Sequence, residues 1–144
     1  MCIIDSGSPE AVESVMVSAK ASGARMTVQL NVSGAFHSPL MAPAREALAD
    51  YLDSLEISDS LFPVFTNVDA KPITEGHKIK DSLIRQLENP VLWSKSILSM
   101  KECEIESFTE VGPGKILQGL NKRIDRIIAP QGVEALEQVG HLNV

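Results

Sequence analysis

The sequence predicts an α/β protein with parallel strands, because strand-like and helix-like segments alternate along its 144 residues. Over residues 25–33, apolar and polar side chains alternate with a period of two, which marks a strand with one buried face. Over residues 115–128, apolar side chains recur every three or four positions, which gives the clearest amphipathic helix in the chain. Helices that connect successive strands as crossovers leave those strands parallel.

The first third of the chain is predicted to run strand, helix, strand. Residues 2–4 form a short apolar strand at the start. A helix follows, with Ser8 as its N-cap and Pro9 at its first position, and Gly23 is a typical C-terminal stop. The strand over residues 25–33 comes next.

The rest of the chain is predicted to contain four helices and two strands. The helices cover residues 38–55, 77–87, from 90 through 100 and 115–128, and the strands cover residues 62–68 and 105–111. Pro43 requires the first of these helices either to begin at Ala42 or to bend there. Pro130 and Gly132 close the last helix, and residues 129–144 form a loosely held tail. These few strands cannot cover all the helix faces. We therefore expect that the chain pairs with another chain or is part of a larger domain.

The composition excludes several classes of partner. Hydrophobic residues make up 44% of the chain and charged residues 22%, as in ordinary globular proteins. The net charge of -6 argues against a large nucleic-acid surface, though not against a local basic patch. The two cysteines, Cys2 and Cys103, have neither metal-ligand spacing nor a disulfide framework. No apolar run approaches the roughly 20 residues of a membrane helix. We expect a cytoplasmic protein without a metal, a nucleic-acid partner or a membrane segment.

The best catalytic candidate is His37, at the seam between the strand over residues 25–33 and the next helix. Gly34, which is free to take unusual backbone angles, ends the strand, and Ser38 caps a helix with Pro39 at its first position. Imidazole titrates near neutral pH and so suits general-base work. Spacing alone also allows a histidine that is simply hydrogen-bonded to the backbone at a helix start. Both interpretations stay open at this point.

The chain has no convincing nucleophile beside this histidine. Ser38 is explained as a helix cap, and Ser33 lies on the predicted strand. Neither serine lies in the G-x-S-x-G turn that exposes a nucleophilic hydroxyl. His37, His77 and His141 are scattered without paired metal-ligand spacing, and no phosphate-binding glycine loop is present.

Two further features have a functional and a structural interpretation each. The turn Gly112-Pro113-Gly114 follows a strand and opens a helix, so its amides either hold an anion or simply make a tight turn. Cationic residues line one side of the last predicted helix, which is either a solvated face or a docking patch for an acidic partner. The residues of this docking patch are Lys115, Lys122, Arg123 and Arg126.

Four segments in a fixed order carry a family resemblance. They read G-A-F-H-S-P-L-M-A-P-A at 34–44, P-V-F-T-N-V-D-A-K-P at 63–72, R-Q-L-E-N-P-V-L-W at 85–93 and E-V-G-P-G-K-I-L-Q-G-L-N-K-R-I at 110–124. Together they closely resemble malonyl-CoA:acyl-carrier-protein transacylases of fatty acid biosynthesis. The resemblance extends from about residue 3 to residue 128.

The resemblance implies a fold and site residues. Residues 34–128 correspond to the C-terminal part of an α/β-hydrolase-like acyltransferase domain, residues 1–33 to half of a ferredoxin-like small subdomain, and residues 129–144 to a tail. His37 corresponds to the family's catalytic histidine. Gln86 corresponds to a glutamine whose backbone carbonyl orients that histidine. The substrates implied are malonyl-CoA and the phosphopantetheine thiol of acyl carrier protein, and no cofactor is implied.

The departures from the family pattern shape the functional hypothesis. The family's serine elbow, G-H-S-L-G-E, its carboxylate-binding arginine and its oxyanion-hole glutamine lie upstream of the histidine and have no counterpart here. We therefore expect the C-terminal segment of a transacylase, inactive alone, with His37 as general acid/base and the missing N-terminal segment as a possible partner. One alternative is a non-catalytic module that binds a carrier protein or a subunit through the docking patch. The other is a hydrolase that uses Ser33 or Ser38 with His37.

Overall fold

The computed structural model describes residues 6–141, which belong to two compact units. The first unit contains the described residues of Met1–Phe62 together with Thr74–Val91, and the second contains those of Pro63–Ile73 and Leu92–Val144. The predicted strand at residues 2–4 lies outside the described residues.

The first unit is helical. It contains α1 (Pro9–Ala21), a 3-10 helix (Pro39–Met41), α2 (Ala42–Asp53) and α3 (Gly76–Arg85). The Ser8 hydroxyl accepts a hydrogen bond from the Ala11 amide at 3.3 Å, and Gly23 takes a φ of +90° just after the helix. The predicted start and stop of α1 are therefore confirmed.

The predicted strand over residues 25–33 is wrong for this structure, because none of these residues joins a β-ladder within residues 6–141. A strand completes its backbone hydrogen bonds only with a neighbouring strand, and no strand pairs with this segment in the described part of the chain. Its alternating apolar side chains are accordingly exposed rather than buried: Met26, Val28, Leu30 and Val32.

The second predicted helix begins at Ala42, which is one of the two alternatives that Pro43 allowed. Pro39–Met41 form a turn of 3-10 helix, and α2 starts at Ala42 with Pro43 in its first turn, where no backbone donor is lost. Leu52 is buried on α2, which packs against α3. At the end of α2, the Lys80 ammonium lies 3.7 Å from Asp53 and donates to the Leu55 carbonyl at 3.1 Å.

The start of α3 is fixed by a connector that folds against it. The Asp59 carboxylate accepts a hydrogen bond from the Gly76 amide at 2.8 Å, and the Ser60 amide donates to the Thr74 carbonyl at 2.8 Å. A hydrogen bond from Lys78 to Glu75 lowers the pKa of the Glu75 carboxyl to about 2. Gly76 is buried where the connector crosses the helix.

The second unit contains four short strands and two helices in its described part. β1 (Val64–Phe65) pairs antiparallel with β2 (Pro72–Ile73), and β3 (Thr109–Val111) pairs parallel with β4 (Gln131–Val133). α4 (Trp93–Glu102) packs against α5 (Ile116–Ile124), and residues Leu136–His141 form a 3-10 helix. Ile97, Ile128 and Val133 are among the buried side chains of this unit.

The second unit corrects three predictions, two about strands and one about the end of a helix. β1 and β2 are antiparallel because a tight turn, in which the Ala70 amide donates to the Thr66 carbonyl at 3.0 Å, reverses the chain between them. α5 ends at Ile124, because Asp125 leaves the helical conformation and accepts a hydrogen bond from the Ile127 amide at 2.9 Å. Gly132, predicted to close a helix, is instead the central residue of β4.

Candidate active site

The backbone of His37 is held in an unusual conformation. Its φ is +63°, in the left-handed region that histidine occupies more readily than most non-glycine residues but still at a cost. Its amide donates a hydrogen bond to the Leu87 carbonyl at 3.0 Å. The sequence suggested that Gly34 takes the unusual backbone angles at this junction. In the structure, the left-handed residue is His37 instead. Such conformations persist only where the surroundings hold them, and they cluster at functional sites.

The imidazole of His37 is held by a second carbonyl. Its Nδ1 lies 2.8 Å from the main-chain oxygen of Gln86. A carbonyl oxygen can only accept, so Nδ1 carries the proton in this hydrogen bond. In the neutral ring, Nε2 then has a free lone pair, which is the atom that a general base uses. The His37 side chain is exposed, so this atom is accessible in the structure.

The end of α3 explains why these two carbonyls are available. A helix leaves its last carbonyls without partners inside the helix. Gln86 and Leu87 directly follow α3, and both of their carbonyls accept hydrogen bonds from His37. The side-chain amide of Asn89 donates to the Arg85 carbonyl at 2.7 Å, which secures the same turn. His37 therefore caps the C-terminal end of α3 with both its backbone and its ring.

Ser38 is a helix cap in this structure. It is 7% exposed, its hydroxyl donates to the Ala35 carbonyl at 2.6 Å, and its oxygen accepts from the Leu40 amide at 3.4 Å. Since a hydroxyl has one proton, Ser38 does not donate to the neighbouring ring in this arrangement. Ser33 is exposed, and within residues 6–141 its hydroxyl forms no hydrogen bond with His37. The structure thus does not bring either serine into a nucleophile–base pair.

The glycine turn before α5 is internally satisfied. Gly112 and Gly114 take φ values of +134° and +90°, and the Gly112 amide donates to the Val133 carbonyl at 2.9 Å. The Glu110 carboxylate accepts hydrogen bonds from the Leu117 and Gln118 amides at 3.1 and 3.2 Å. This carboxylate already occupies the first turn of α5, where an external anion would bind. The arrangement favours the tight-turn interpretation.

The predicted docking residues all lie in the second unit. Their side chains are exposed: Lys115, Lys122, Arg123 and Arg126. Lys122 and Arg123 belong to the last turn of α5, whereas Arg126 follows the end of the helix. Lys115 is the N-cap of α5, so the four cations lie at both ends of this helix and in the loop after it, and not along one helix face.

Within residues 6–141, no group of three or more histidine, cysteine, aspartate and glutamate side chains is arranged to hold a metal ion. None of the helices described for the chain has the length and apolar character needed to cross a membrane.

Two contacts of this site were missed from the sequence. The Leu87 carbonyl holds the His37 amide, and Arg45 forms an ion pair with Glu88, with 2.8 Å between Nε and Oε2. Main-chain acceptors leave no residue-type signal. The ion pair gives only a weak signal in the sequence: a positive charge, Arg45, follows His37, and a negative charge, Glu88, follows Gln86.

Several known proteins that are similar to this chain are named malonyl transacylases or malonyltransferases. A malonyl CoA-acyl carrier protein transacylase from Bacillus subtilis is 44% identical over 124 residues, which are 86% of this chain and 39% of that protein. The solved structure of an acyl carrier protein S-malonyltransferase from Vibrio cholerae is 39% identical with a TM-score of 0.84, over 92% of this chain and 43% of that one. A malonyl-transacylase solved in complex with its type II PKS acyl-carrier protein is 36% identical with a TM-score of 0.85, over 93% and 44% of the two chains. No family model matches the chain.

These matches place the chain among α/β proteins that have the fold of acyltransferases, and the predicted α/β class is confirmed at that level. More specifically, the chain is homologous to the C-terminal part of the malonyl CoA-acyl carrier protein transacylases, so the resemblance seen in its sequence is confirmed. The chain spans about two fifths of the length of the curated relatives that it matches.

Proposed function

We propose that this chain supplies the general acid/base of an enzyme that moves malonyl from coenzyme A to the phosphopantetheine thiol of acyl carrier protein. His37 is the acid/base, and the main-chain carbonyl of Gln86 orients it. The observation that carries the proposal is the 2.8 Å contact between His37 Nδ1 and the Gln86 oxygen. This contact supplies the orienting group that a nucleophile–base pair requires. The similarity to transacylases over 86% of the chain supports the same role.

In the first half-reaction, Nε2 of His37 takes the proton of a serine hydroxyl as that oxygen attacks the malonyl thioester. The resulting imidazolium keeps its Nδ1–H on the Gln86 carbonyl, so the ring does not rotate while it is charged. When the carbon–sulfur bond breaks, the imidazolium returns the proton to the coenzyme A thiolate. Malonyl is left as an ester on the serine.

In the second half-reaction, the same nitrogen takes the proton of the carrier-protein thiol. The thiolate attacks the malonyl ester, and the imidazolium protonates the departing serine oxygen. Acid and base roles thus alternate at one atom, and the enzyme returns to its starting state. The fixed Nδ1–H tautomer suits both halves, because Nε2 is the reacting nitrogen in each.

The serine nucleophile is proposed to come from outside the 144 residues, since they contain no G-x-S-x-G turn. The chain alone is accordingly proposed to be inactive, as a C-terminal part with an α/β-hydrolase-like portion and half of a ferredoxin-like subdomain. Removal of a nucleophile leaves such sites with residual catalysis only. The proposed reaction uses two substrates and no cofactor. We propose that it takes place in the cytoplasm.

A chimera tests this proposal. In it, the C-terminal region of the Bacillus subtilis relative that matches this chain is replaced by the chain itself. We expect the chimera to transfer malonyl from malonyl-CoA to a holo carrier protein, whereas the chain alone does not. An inactive chimera that folds like its parent would count against the proposal.

Replacement of Gln86 by alanine distinguishes the role of its main-chain carbonyl, which remains, from that of its side-chain amide, which is removed. The orienting oxygen belongs to the backbone, so we expect Gln86→Ala in the chimera to keep its transfer rate within about threefold of the wild type. The measurement is the steady-state rate of malonyl transfer to the holo carrier protein. A loss as large as that caused by removing the His37 imidazole would mean that the side chain, not the carbonyl, is the functional group.

A second candidate function is carrier-protein or subunit binding without catalysis, which the exposed cations of the docking patch favour. Association through charges is faster at low salt and depends on both signs of charge. We expect Lys122→Glu with Arg126→Glu to slow association with an acidic carrier protein roughly tenfold and to reduce its salt dependence. The measurement is the association rate at two salt concentrations.

The matched control reverses two exposed cations of the first unit, Lys20→Glu with Arg25→Glu, which changes the net charge by the same amount. This control should leave most of the association rate intact. Equal effects of the two double variants would assign the change to overall charge and would remove the docking patch from the account.

A further inference from the structure

An ion pair links the two segments that meet at His37. Nε of Arg45 lies 2.8 Å from Oε2 of Glu88, and the two side chains are 32% and 25% exposed. Arg45 is in the first turn of α2, eight positions after His37, and Glu88 is two positions after Gln86. The pair therefore joins the helix that follows the histidine to the turn that supplies both of its carbonyl acceptors.

These contacts form a closed ring of restraints. The ring runs from Gln86 through Leu87 to Glu88, crosses the ion pair to Arg45, returns along the start of α2 to Ser38, and closes at His37. The cap made by Ser38 holds the connection between His37 and α2. Apart from His37 itself, the ion pair is the side-chain contact that joins the two segments of this ring. Without it, the start of α2 is held near the carbonyl turn by the two His37 hydrogen bonds and by the packing of α2 against α3.

His37 needs such a restraint more than an ordinary residue does. Its left-handed backbone conformation costs free energy that the surroundings must repay. If the carbonyl turn moves away from the histidine, its backbone gains freedom and its ring loses the acceptor that selects the Nδ1–H tautomer. The ion pair opposes this movement.

We infer that Arg45 and Glu88 are positioning residues, whose ion pair holds the Gln86 and Leu87 carbonyls against His37 and thereby fixes its Nδ1–H tautomer. The functional meaning of this inference rests on the proposed role of His37. The tautomer itself does not, because it is a property of the chain without substrate. The two ideas can therefore fail separately.

The test is nitrogen NMR of the imidazole rings in the full chain labelled with [15N]histidine. The chain has three histidines, and His37→Asn identifies the signals of His37. In the wild type we expect its neutral ring to be mainly protonated at Nδ1. In Arg45→Met and in Glu88→Gln, we expect the ratio of Nδ1–H to Nε2–H to fall roughly fivefold or more, as for the weakening of one hydrogen bond. The reversed pair, Arg45→Glu with Glu88→Arg, should restore the ratio.

Lys80→Met is the matched control. Lys80 also links the end of α2 to α3, through its contacts with Asp53 and Leu55, but at the opposite end of α2 from Arg45. We expect it to leave the His37 signals unchanged. Size-exclusion chromatography at the NMR concentration verifies that all variants share one oligomeric state.

The inference is overturned if the single variants keep the wild-type tautomer ratio, or if Lys80→Met changes it as much as they do. It is also overturned if the His37 ring of the wild type is mainly protonated at Nε2. Glu88→Gln leaves Arg45 with Glu46, whose Oε1 lies 3.1 Å from Nη2, so the variant does not strand an unpaired guanidinium. An inactive chimera together with a responsive tautomer would remove the proposed function and keep the positioning role.

Discussion

Replacement of His37 by asparagine in the chimera is expected to lower the rate of malonyl transfer by a factor of about 10³. Asparagine tolerates a positive φ, so it should keep the backbone conformation that His37 adopts at +63°. It cannot exchange protons near neutral pH, so both half-reactions lose their acid/base. The measurement is the transfer rate to a holo carrier protein at saturating malonyl-CoA.

The control for this variant is His77→Asn, which changes an exposed histidine of α3. Its transfer rate should equal that of the unmodified chimera. Circular dichroism of both variants checks that their helix content is unchanged. Retention of more than about a tenth of the rate in His37→Asn would contradict an acid/base role, because such groups contribute at least about a hundredfold.

Gly76→Ala is expected to lower the free energy of unfolding by about 1–3 kcal/mol or more. A Cβ at this position would lie under 3.0 Å from the carbonyl oxygen and carbon of Ile57 and from the carbonyl carbon of Ser58, closer than real Cβ atoms approach other atoms. All three of these atoms belong to the backbone of the connector that packs on α3, so no side-chain rotation can relieve the clash. Separation of the connector from α3 would also strain the hydrogen bond between Gly76 and Asp59.

Urea unfolding followed by circular dichroism measures this change, and Gly119→Ala is the control. Gly119 lies inside α5, and a Cβ there would meet nothing within 4 Å. Alanine is a better helix former than glycine, so this control should be neutral or stabilising by up to about 1 kcal/mol. If both substitutions had the same effect, the close approach at Gly76 would not matter for stability.

Features set by neighbouring residues could be predicted from the sequence. Ser8 with Pro9, Gly23, and Ser38 with Pro39 mark helix ends through hydrogen bonds and backbone angles that involve only a few successive residues. These predictions were confirmed. The pattern of one helix, α2, even limited its start to two alternatives, one of which the structure shows.

Features set by distant partners could not be predicted in this way. The alternation over residues 25–33 satisfies the pattern of a strand, but a pattern does not provide the neighbour that completes a ladder. β4 shows the opposite case. Its central Gly132 is typical of a turn, but the segment becomes a strand because it pairs with β3.

The candidate site shows the same division. The spacing of Gly34, His37 and Ser38 indicated the junction, but it could not decide between a general base and a histidine bonded to backbone. The structure shows that the backbone bond exists, that it joins Nδ1 to a carbonyl 49 positions away, and that Nε2 takes no part in it. Only the family resemblance had linked Gln86 to His37, because a main-chain acceptor has no signature in residue type.

The measurement that tests the central claim most directly is the intact mass of each protein after incubation with malonyl-CoA and a holo carrier protein. We expect the chain alone to leave both masses unchanged. We expect the chimera to place malonyl on the carrier protein and, without carrier protein, on itself. A malonyl adduct on the chain alone, or on a carrier protein incubated with it, would reveal a nucleophile within these 144 residues and would contradict the account.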